Sequence, residues 1–353
     1  MNFVTELQTA VTKGASDIFI VAGRPLVCKI SGQMTNVDNT PLKPSDTADF
    51  VRQIYELAGQ RDMAHLEKSG DDDFSFALPG VSRFRVSAYR QRNSLAAVVR
   101  VIAFELPDPT ALHLPATVLS LAERTKGLIL VTGAAGSGKS TTLSCIIDRI
   151  NSSKADHIIT LEDPLEYLHR HKTSIVSQRE INTDTESYVT ALRAALRQSP
   201  DVILLGEMRD YETITTAMTA AETGHLIFSS LHTIGAANTI DRILDVFEPS
   251  QQHQIAVQLA MVLQAVVSQQ LLPSVDGELV PAFEIMIVNP AIRNMIRENK
   301  IHQIDTVIYS SAEEEMISMD TSILNLYKSG LISERTALTF ASNPELLAKK
   351  LNL

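Results

Sequence analysis

Apolar positions along the chain fall into two regimes. Up to about residue 105, short apolar runs alternate with turns: "DIFIVAGRPLVCKISGQM" reads as two short strands, broken at Gly23–Pro25 and at Gly32. The preceding MNFVTELQTAVTKG has the spacing of an amphipathic helix. In "SRFRVSAYRQRNSLAAVVRVIAF", side-chain alternation puts Arg83 and Arg85 on one face of a strand and Phe84 and Val86 on the other. This pattern predicts a small α+β domain over residues 1–105. Residues 106–115 hold three prolines and few periodic apolar positions, and read as a linker.

From residue 116 the pattern changes to strand, loop, helix. "GLILVTG" precedes a helix starting at Lys139, with Leu143, Ile146, Ile147 and Ile150 at helical spacing. The runs "HIITLED", "DVILLGE" and "HLIFSSLH" do not alternate, as expected of strands buried on both faces of a largely parallel sheet. "ESYVTALRAALRQ" before Pro200 and "YETITTAMTAAET" before Gly224 read as the intervening helices. The expected fold class is therefore α/β over residues 116–353, behind the smaller α+β domain. From about Pro249 the chain is expected to be mostly helical. The stretch Ile255 to Leu272 carries Gln258, Gln264, Ser268, Gln269 and Gln270, too polar to span lipid, and is expected to be a buried helix.

Composition narrows the function. With 353 residues, 44 % hydrophobic and 20 % charged, the chain can bury two sizeable cores. Its 41 acidic against 31 basic residues give a net charge of −10, which repels nucleic-acid backbones and anionic membranes, so any basic patch is local. That patch is Arg83, Arg85, Arg90, Arg92 and Arg100. Cys28 and Cys145 have neither metal-ligand spacing nor a disulfide framework. The N-terminus lacks the apolar core of a secretory signal, and a cytoplasmic protein without a transmembrane segment is expected.

The strongest chemical signal is "GAAGSGKS", Gly133, Ala134, Ala135, Gly136, Ser137, Gly138, Lys139 and Ser140, followed by Thr141. It fits the phosphate-loop pattern between a strand and a helix. Its backbone amides and helix N-terminus would cradle the phosphates of ATP, Lys139 would reach the β- and γ-oxygens, and the Ser140 hydroxyl would ligate Mg²⁺. "TLEDPLEY" places Glu162, Asp163 and Glu166 at a strand end, either as metal and water ligands or as a solvated turn before Pro164. "DVILLGEMRD" ends in Glu207 and resembles a Walker B strand with Gly206 where an aspartate often stands. Glu207 either handles the attacking water or caps the next helix. His225 and His232 bound one apolar run, as phosphate sensors or as structural histidines.

These boxes in this order resemble the type II/IV secretion ATPase superfamily, and within it the type IV pilus retraction (twitching motility, PilT) family. "SDIFIVAGRPLVCKISGQM", "NPAIRNMIRENKIHQI" and "MISMDTSILNLYKSGLISERTALTFASNPELL" extend the resemblance nearly end to end. It implies a PAS-like N-terminal domain, a RecA-like ATPase domain and a homohexamer that hydrolyses ATP with Mg²⁺. Such a motor works in the cytoplasm at the inner face of the membrane, on pilin, through an inner-membrane platform protein. The resemblance implies catalytic Glu207, Glu162 and His232, metal ligation by Ser140 and Asp163, and a His box of His225 and His232. Arg83, Arg85 and Arg100 fall on arginines that reach nucleotide phosphates, including across subunits. "AIRNMIRE" (Ala291, Ile292, Arg293, Asn294, Met295, Ile296, Arg297, Glu298) resembles a motif tied to retraction. On a helix from Pro290, Ile292, Met295 and Ile296 share a packing face, leaving the polar side for coupling or simply for solvent.

Two departures stand out: "SSLHT" at Ser229 and Ser230 where the family has "GTLHT", and Asn93 where an arginine is usual. Extension, secretion and DNA-uptake ATPases are the nearest alternatives. Pilus assembly relatives usually carry a longer N-terminal region and a four-cysteine zinc element, which two isolated cysteines cannot build. A RecA-like nucleic-acid translocase is the alternative of another class. Acidity and the lack of a recognisable nucleic-acid module argue against it, so no nucleic-acid partner is expected. Intact Lys139 and Glu207 argue against an inactive paralogue.

Overall fold

A computed structural model describes residues 3–30, 32–102, 106–311 and 315–351; Met1 and Asn2 of the expected first helix, and residues 103–105 at the expected domain end, lie outside them. The chain divides into two units, Met1–Glu105 with Glu166–Leu168 and Leu106–Leu165 with His169–Leu353.

The first unit runs α1 (Phe3–Thr12), β1 (Ala15–Ile20), β2 (Val27–Ile30), β3 (Gln33–Asn36), α2 (Pro44–Leu57), α3 (Ala64–Ser69), β4 (Asp71–Leu78), β5 (Ser82–Gln91) and β6 (Ser94–Ile102). Its strands pair antiparallel in the order β3-β2-β1-β6-β5-β4. Period-two burial sets the inner face: Phe84, Val86 and Ala88 of β5 pack with Phe3, Phe50 and Ile54 from α1 and α2. Arg83 and Arg85 occupy the other face, half-buried. The β5–β6 turn has Arg92 at φ 46° and Asn93 at φ 63°. Two successive left-handed residues are what a tight type I′ hairpin needs, and asparagine tolerates that conformation best after glycine. Asn93 therefore stands at a turn tip.

The second unit runs α4 (Ala116–Ser120), β7 (Gly127–Thr132), α5 (Lys139–Ser153), β8 (His157–Glu162), β9 (Ile175–Glu180), α6 (Tyr188–Ala195), β10 (Val202–Leu205), α7 (Tyr211–Glu222), β11 (Leu226–Leu231), α8 (Ala236–Leu244), α9 (Pro249–Val262), β12 (Leu263–Pro273), β13 (Leu279–Ile287), α10 (Pro290–Arg297), α11 (Ile304–Ser310), α12 (Met319–Lys328), α13 (Glu334–Phe340) and α14 (Pro344–Lys350). The sheet order is β13-β12-β7-β11-β10-β8-β9, parallel from β12 to β9, with β13 antiparallel to β12. Both faces are covered. Leu128, Leu130, Ile203, Leu205 and Ile227 face a core with α6 to α11, while Ile129, Val131, Val202, Leu204 and Phe228 face one with α4 and α5. Double-sided burial is why these strands read as unbroken apolar runs.

The expectation of a mostly helical chain after Pro249 is wrong over Leu263–Ile287, where β12 and β13 form a hairpin on the sheet. The helix expected over Ile255–Leu272 ends at Val262, and the next residue already begins β12. Val266 and Val267 lie opposite Leu130 and Val131 of β7, so β-branched side chains fill the pleat. Helix passes to strand with no glycine or proline between, which removed the usual boundary signal. The expected linker is no simple spacer either: turns closed by Leu112 N to Asp108 O and Leu114 N to Pro109 O fold residues 108–114. Among the described residues no helix is long and apolar enough to cross a membrane.

Candidate nucleotide-binding site

In a parallel sheet, the loops after the strands gather at one edge. The four central strands lie in the order β7-β11-β10-β8, so the segments that follow them stand side by side: the 133–138 loop, His232, Glu207 and the Glu162–Asp163 pair.

The 133–138 loop leaves β7 and enters α5, a 15-residue helix whose N-cap Gly138 (φ 87°) offers no side-chain cap, leaving first-turn amides for a ligand. Gly133 has φ 145°, and a Cβ there would lie 2.3 Å from Gln269 O; one on Gly138 would lie 2.9 Å from Gln269 Nε2. Both positions need glycine because β12 presses against the loop. Gln269 is buried, and its Oε1 accepts a hydrogen bond from Thr142 Oγ1 at 2.7 Å. The expected helix over Ile255–Leu272 includes Gln269, and helical periodicity gives no sign of its place beneath the loop. Lys139 is 8 % exposed, against the expectation of a solvated side chain. Its Nζ donates to Gly133 O and Ala134 O, both at 2.9 Å, which fixes the ammonium inside the loop. Ala135, Gly136, Ser137, Ser140 and Thr141 complete the loop and first helical turn.

A cavity of about 260 Å³ adjoins the loop, lined by Ala111, Leu112, His113, Leu114, Gly138, Thr141, Thr142, Gln269, Leu271, Leu279 and Pro281. Part of the expected linker thus forms an apolar wall beside the phosphate loop. Only the proline-rich composition of 106–115 hinted at a fixed conformation.

At the end of β8, Glu162 is buried and Asp163 exposed, so Glu162 is no solvated turn residue. The loop after them is held by a side chain that no short motif marks: Glu180 Oε2, on neighbouring β9, accepts from Leu165 N at 3.2 Å. After β10, Glu207 Oε2 accepts from Arg209 Nε at 2.6 Å and lies 3.3 Å from His232 Nε2. Among the described residues, Glu207 Oε1 accepts no hydrogen bond. The capping acid of α7 is Asp210, whose Oδ1 accepts from Thr213 N at 2.9 Å, which leaves Glu207 to the site. Ser230 Oγ donates to Gly206 O at 2.6 Å, and Met208 N to Ser230 O, clamping the turn that carries Glu207. One of the two serines that depart from the family pattern thus supports this edge.

The remaining expected residues lie elsewhere. His225 precedes β11, at the opposite end of the strand from His232, with Nδ1 3.0 Å from Ala220 O and 3.2 Å from Thr223 Oγ1. Within this chain it is not at the phosphate loop. In the first unit, Arg85 lies directly across from Arg100 on β6, and Arg100 Nε donates to Asp17 Oδ1 at 2.9 Å. Asp17 offsets one charge of the patch. In α10, Ile292 and Ile296 are buried and Asn289 caps the helix. Arg293 is not on a free polar side: its Nη1 donates to Ala260 O at 2.7 Å and Met261 O at 3.0 Å, closing the C-terminus of α9.

The donor set suits a magnesium nucleotide: a hydroxyl at Ser140 and a carboxylate at Asp163 are hard oxygen ligands, and Mg²⁺ takes only one or two from protein when phosphates supply the rest. No cluster of three or more His, Cys, Asp or Glu side chains able to cage a metal occurs among the described residues.

Residues 3–310 match the family described as "Type II/IV secretion system protein". The chain is 42 % identical over 345 residues to the "Type IV pilus retractation ATPase PilT" of Pseudomonas aeruginosa, covering 98 % of this chain and 99 % of that one. It is 41 % identical over 348 residues to a "Twitching motility protein" of Neisseria gonorrhoeae, covering 98 % and 92 %. A crystal structure of the "Pilus Retraction Motor PilT and Bound ADP" superposes with a TM-score of 0.91 at 45 % identity, covering 99 % of both chains.

Proposed function

The chain belongs to the type II/IV secretion system protein family, and from that membership we propose that it is an ATPase that powers type IV pilus retraction, and with it twitching motility. The observation that carries the reading is the alignment of Lys139, His232, Glu207 and Glu162 along one edge of a parallel sheet, in a chain similar over nearly its whole length to a retraction ATPase.

The loop amides and the α5 dipole bind the β- and γ-phosphates of ATP, and Lys139 neutralises their charge. The base fits the wall formed by residues 111–114. Ser140 and Asp163 would hold Mg²⁺, which supplies charge neutralisation at the phosphates. Glu207, anchored through Oε2 by Arg209 and His232, presents Oε1 to a water. As the water oxygen forms its bond to the γ-phosphorus and the bond to the ADP oxygen breaks, the water proton passes to Glu207. Glu162 is the neighbouring carboxylate that helps orient that water.

The chain works as a homohexamer whose subunits meet around the nucleotide, in a heterologous contact that closes into a ring. Arg83, Arg85 and Arg100 of the PAS-like first domain reach phosphates in that ring, and His225 serves the subunit contact rather than its own phosphate loop. Through the exposed side of α10, the motor drives an inner-membrane platform protein and so removes pilin, from the cytoplasmic face of the membrane. The test is Lys139→Ala: folded protein with no ATP hydrolysis is expected, and wild-type turnover would defeat the nucleotide-site assignment.

A further inference from the structure

Position 206 lacks the side chain that a Walker B strand often carries there, and its surroundings say why. A Cβ on Gly206 would lie 2.7 Å from the hydroxyl oxygen of Tyr188 and 3.4 Å from both Glu162 Cα and Leu161 O. Tyr188 is the first residue of α6, and its ring packs on the core beneath the sheet. The ring enters from α6 and its oxygen arrives at the point where the two carboxylate-bearing strand ends, β8 and β10, come together.

We infer that Tyr188 is a positioning residue of the hydrolytic site: its phenolic O–H, set against Gly206 between the ends of β8 and β10, is placed to donate into the cluster of Glu162, Asp163 and Glu207. The inference rests on the ATPase reading and deepens it. Among the described residues the Tyr188 hydroxyl makes no hydrogen bond, so its proton is available to an oxygen of the site. Burial, followed by the charges of Glu207, Asp163 and Glu162, raises the pKa of the phenol well above its ordinary value, so the group remains a donor at neutral pH. Glu207 takes Arg209 and His232 on Oε2, and a further donor placed on the side of β8 would oppose rotation of the carboxylate toward those partners. Glycine at 206 is then the counterpart of tyrosine at 188, since any larger residue would push the hydroxyl out of the cluster.

Tyr188→Phe keeps the ring and removes only the donor. In single-turnover hydrolysis it is expected to be slower by roughly tenfold, the size of losing one hydrogen bond to a charged group. Its KM for ATP and its thermal midpoint should stay at wild-type values. Gly206→Ala displaces the same hydroxyl, so the double variant Tyr188→Phe with Gly206→Ala should be no slower than the slower single variant. Wild-type single-turnover rate in Tyr188→Phe overturns the inference, as do losses that multiply in the double variant. If Gly206→Ala does not fold, the split between rate and KM in Tyr188→Phe decides alone. Lys139→Ala, run beside them, separates the two levels: inactive Lys139→Ala with fully active Tyr188→Phe sinks the tyrosine and leaves the ATPase reading standing.

Discussion

The Arg293 guanidinium donates to the carbonyl of Ala260 at 2.7 Å, so one of the two arginines in the "AIRNMIRE" helix closes the end of α9 and is not free for a partner. A helix C-terminus leaves its last carbonyls without intrahelical donors, and a cation there satisfies them and complements the dipole. The two arginines of α10 therefore separate by role. Arg293→Ala should lower stability by about 1.5–3 kcal/mol, the worth of a charge-assisted hydrogen bond, read as a lower thermal midpoint.

Arg297 is exposed, as is Asn294. Changing both to alanine is expected to leave ring formation and ATPase rate at wild-type levels while abolishing twitching, scored by colony spreading. Full twitching would remove the exposed side of α10 from the coupling route, and an ATPase loss large enough to explain the motility defect by itself would count against this assignment.

Glu207→Gln keeps the shape of the side chain and removes its basicity. Nucleotide binding is expected to survive, while kcat falls by about 10²–10⁴-fold, the usual range for loss of a general base. A kcat within a few-fold of wild type would move that role to Glu162.

The arginine row makes a claim about subunits. Rings mixed from Arg85→Ala and Lys139→Ala protomers should show activity that depends on which neighbours meet, because an arginine acting on phosphate in trans contributes roughly 10³–10⁵ in rate in well-studied cases. Activity equal to that of independent subunits rules out action in trans and leaves Arg85 as a cation on a half-buried strand face.

What could be read from the chain divides along local and long-range lines. The phosphate loop, the carboxylates after β8 and β10 and the histidine after β11 announce themselves through short motifs, and the unbroken apolar runs give a parallel sheet whose edge must gather them. Gln269 could not be found that way. Its partner Thr142 lies 127 positions earlier, and it sits on a strand that follows a helix without punctuation, so its glutamines looked like polar positions on one long helix. Tyr188 was hidden similarly, since a tyrosine at the start of an amphipathic helix reads as packing until Gly206 is seen against it. Residues 106–115 look like a spacer because prolines signal the absence of regular structure and not the absence of a defined surface. The bond from Arg293 to the end of α9 is not legible in the sequence, because helical periodicity locates a side chain around its own axis and says nothing of the neighbouring helix end.

The central claim, a retraction motor driven by the Lys139 site, is tested most directly by deleting the gene and complementing with wild type or Lys139→Ala, scoring surface pili and twitching together. Abundant surface pili without twitching are expected in both the deletion and the Lys139→Ala strain, with twitching restored by wild type. Loss of surface pili in the deletion would place the protein in extension or secretion, and normal twitching in the Lys139→Ala strain would contradict the motor itself.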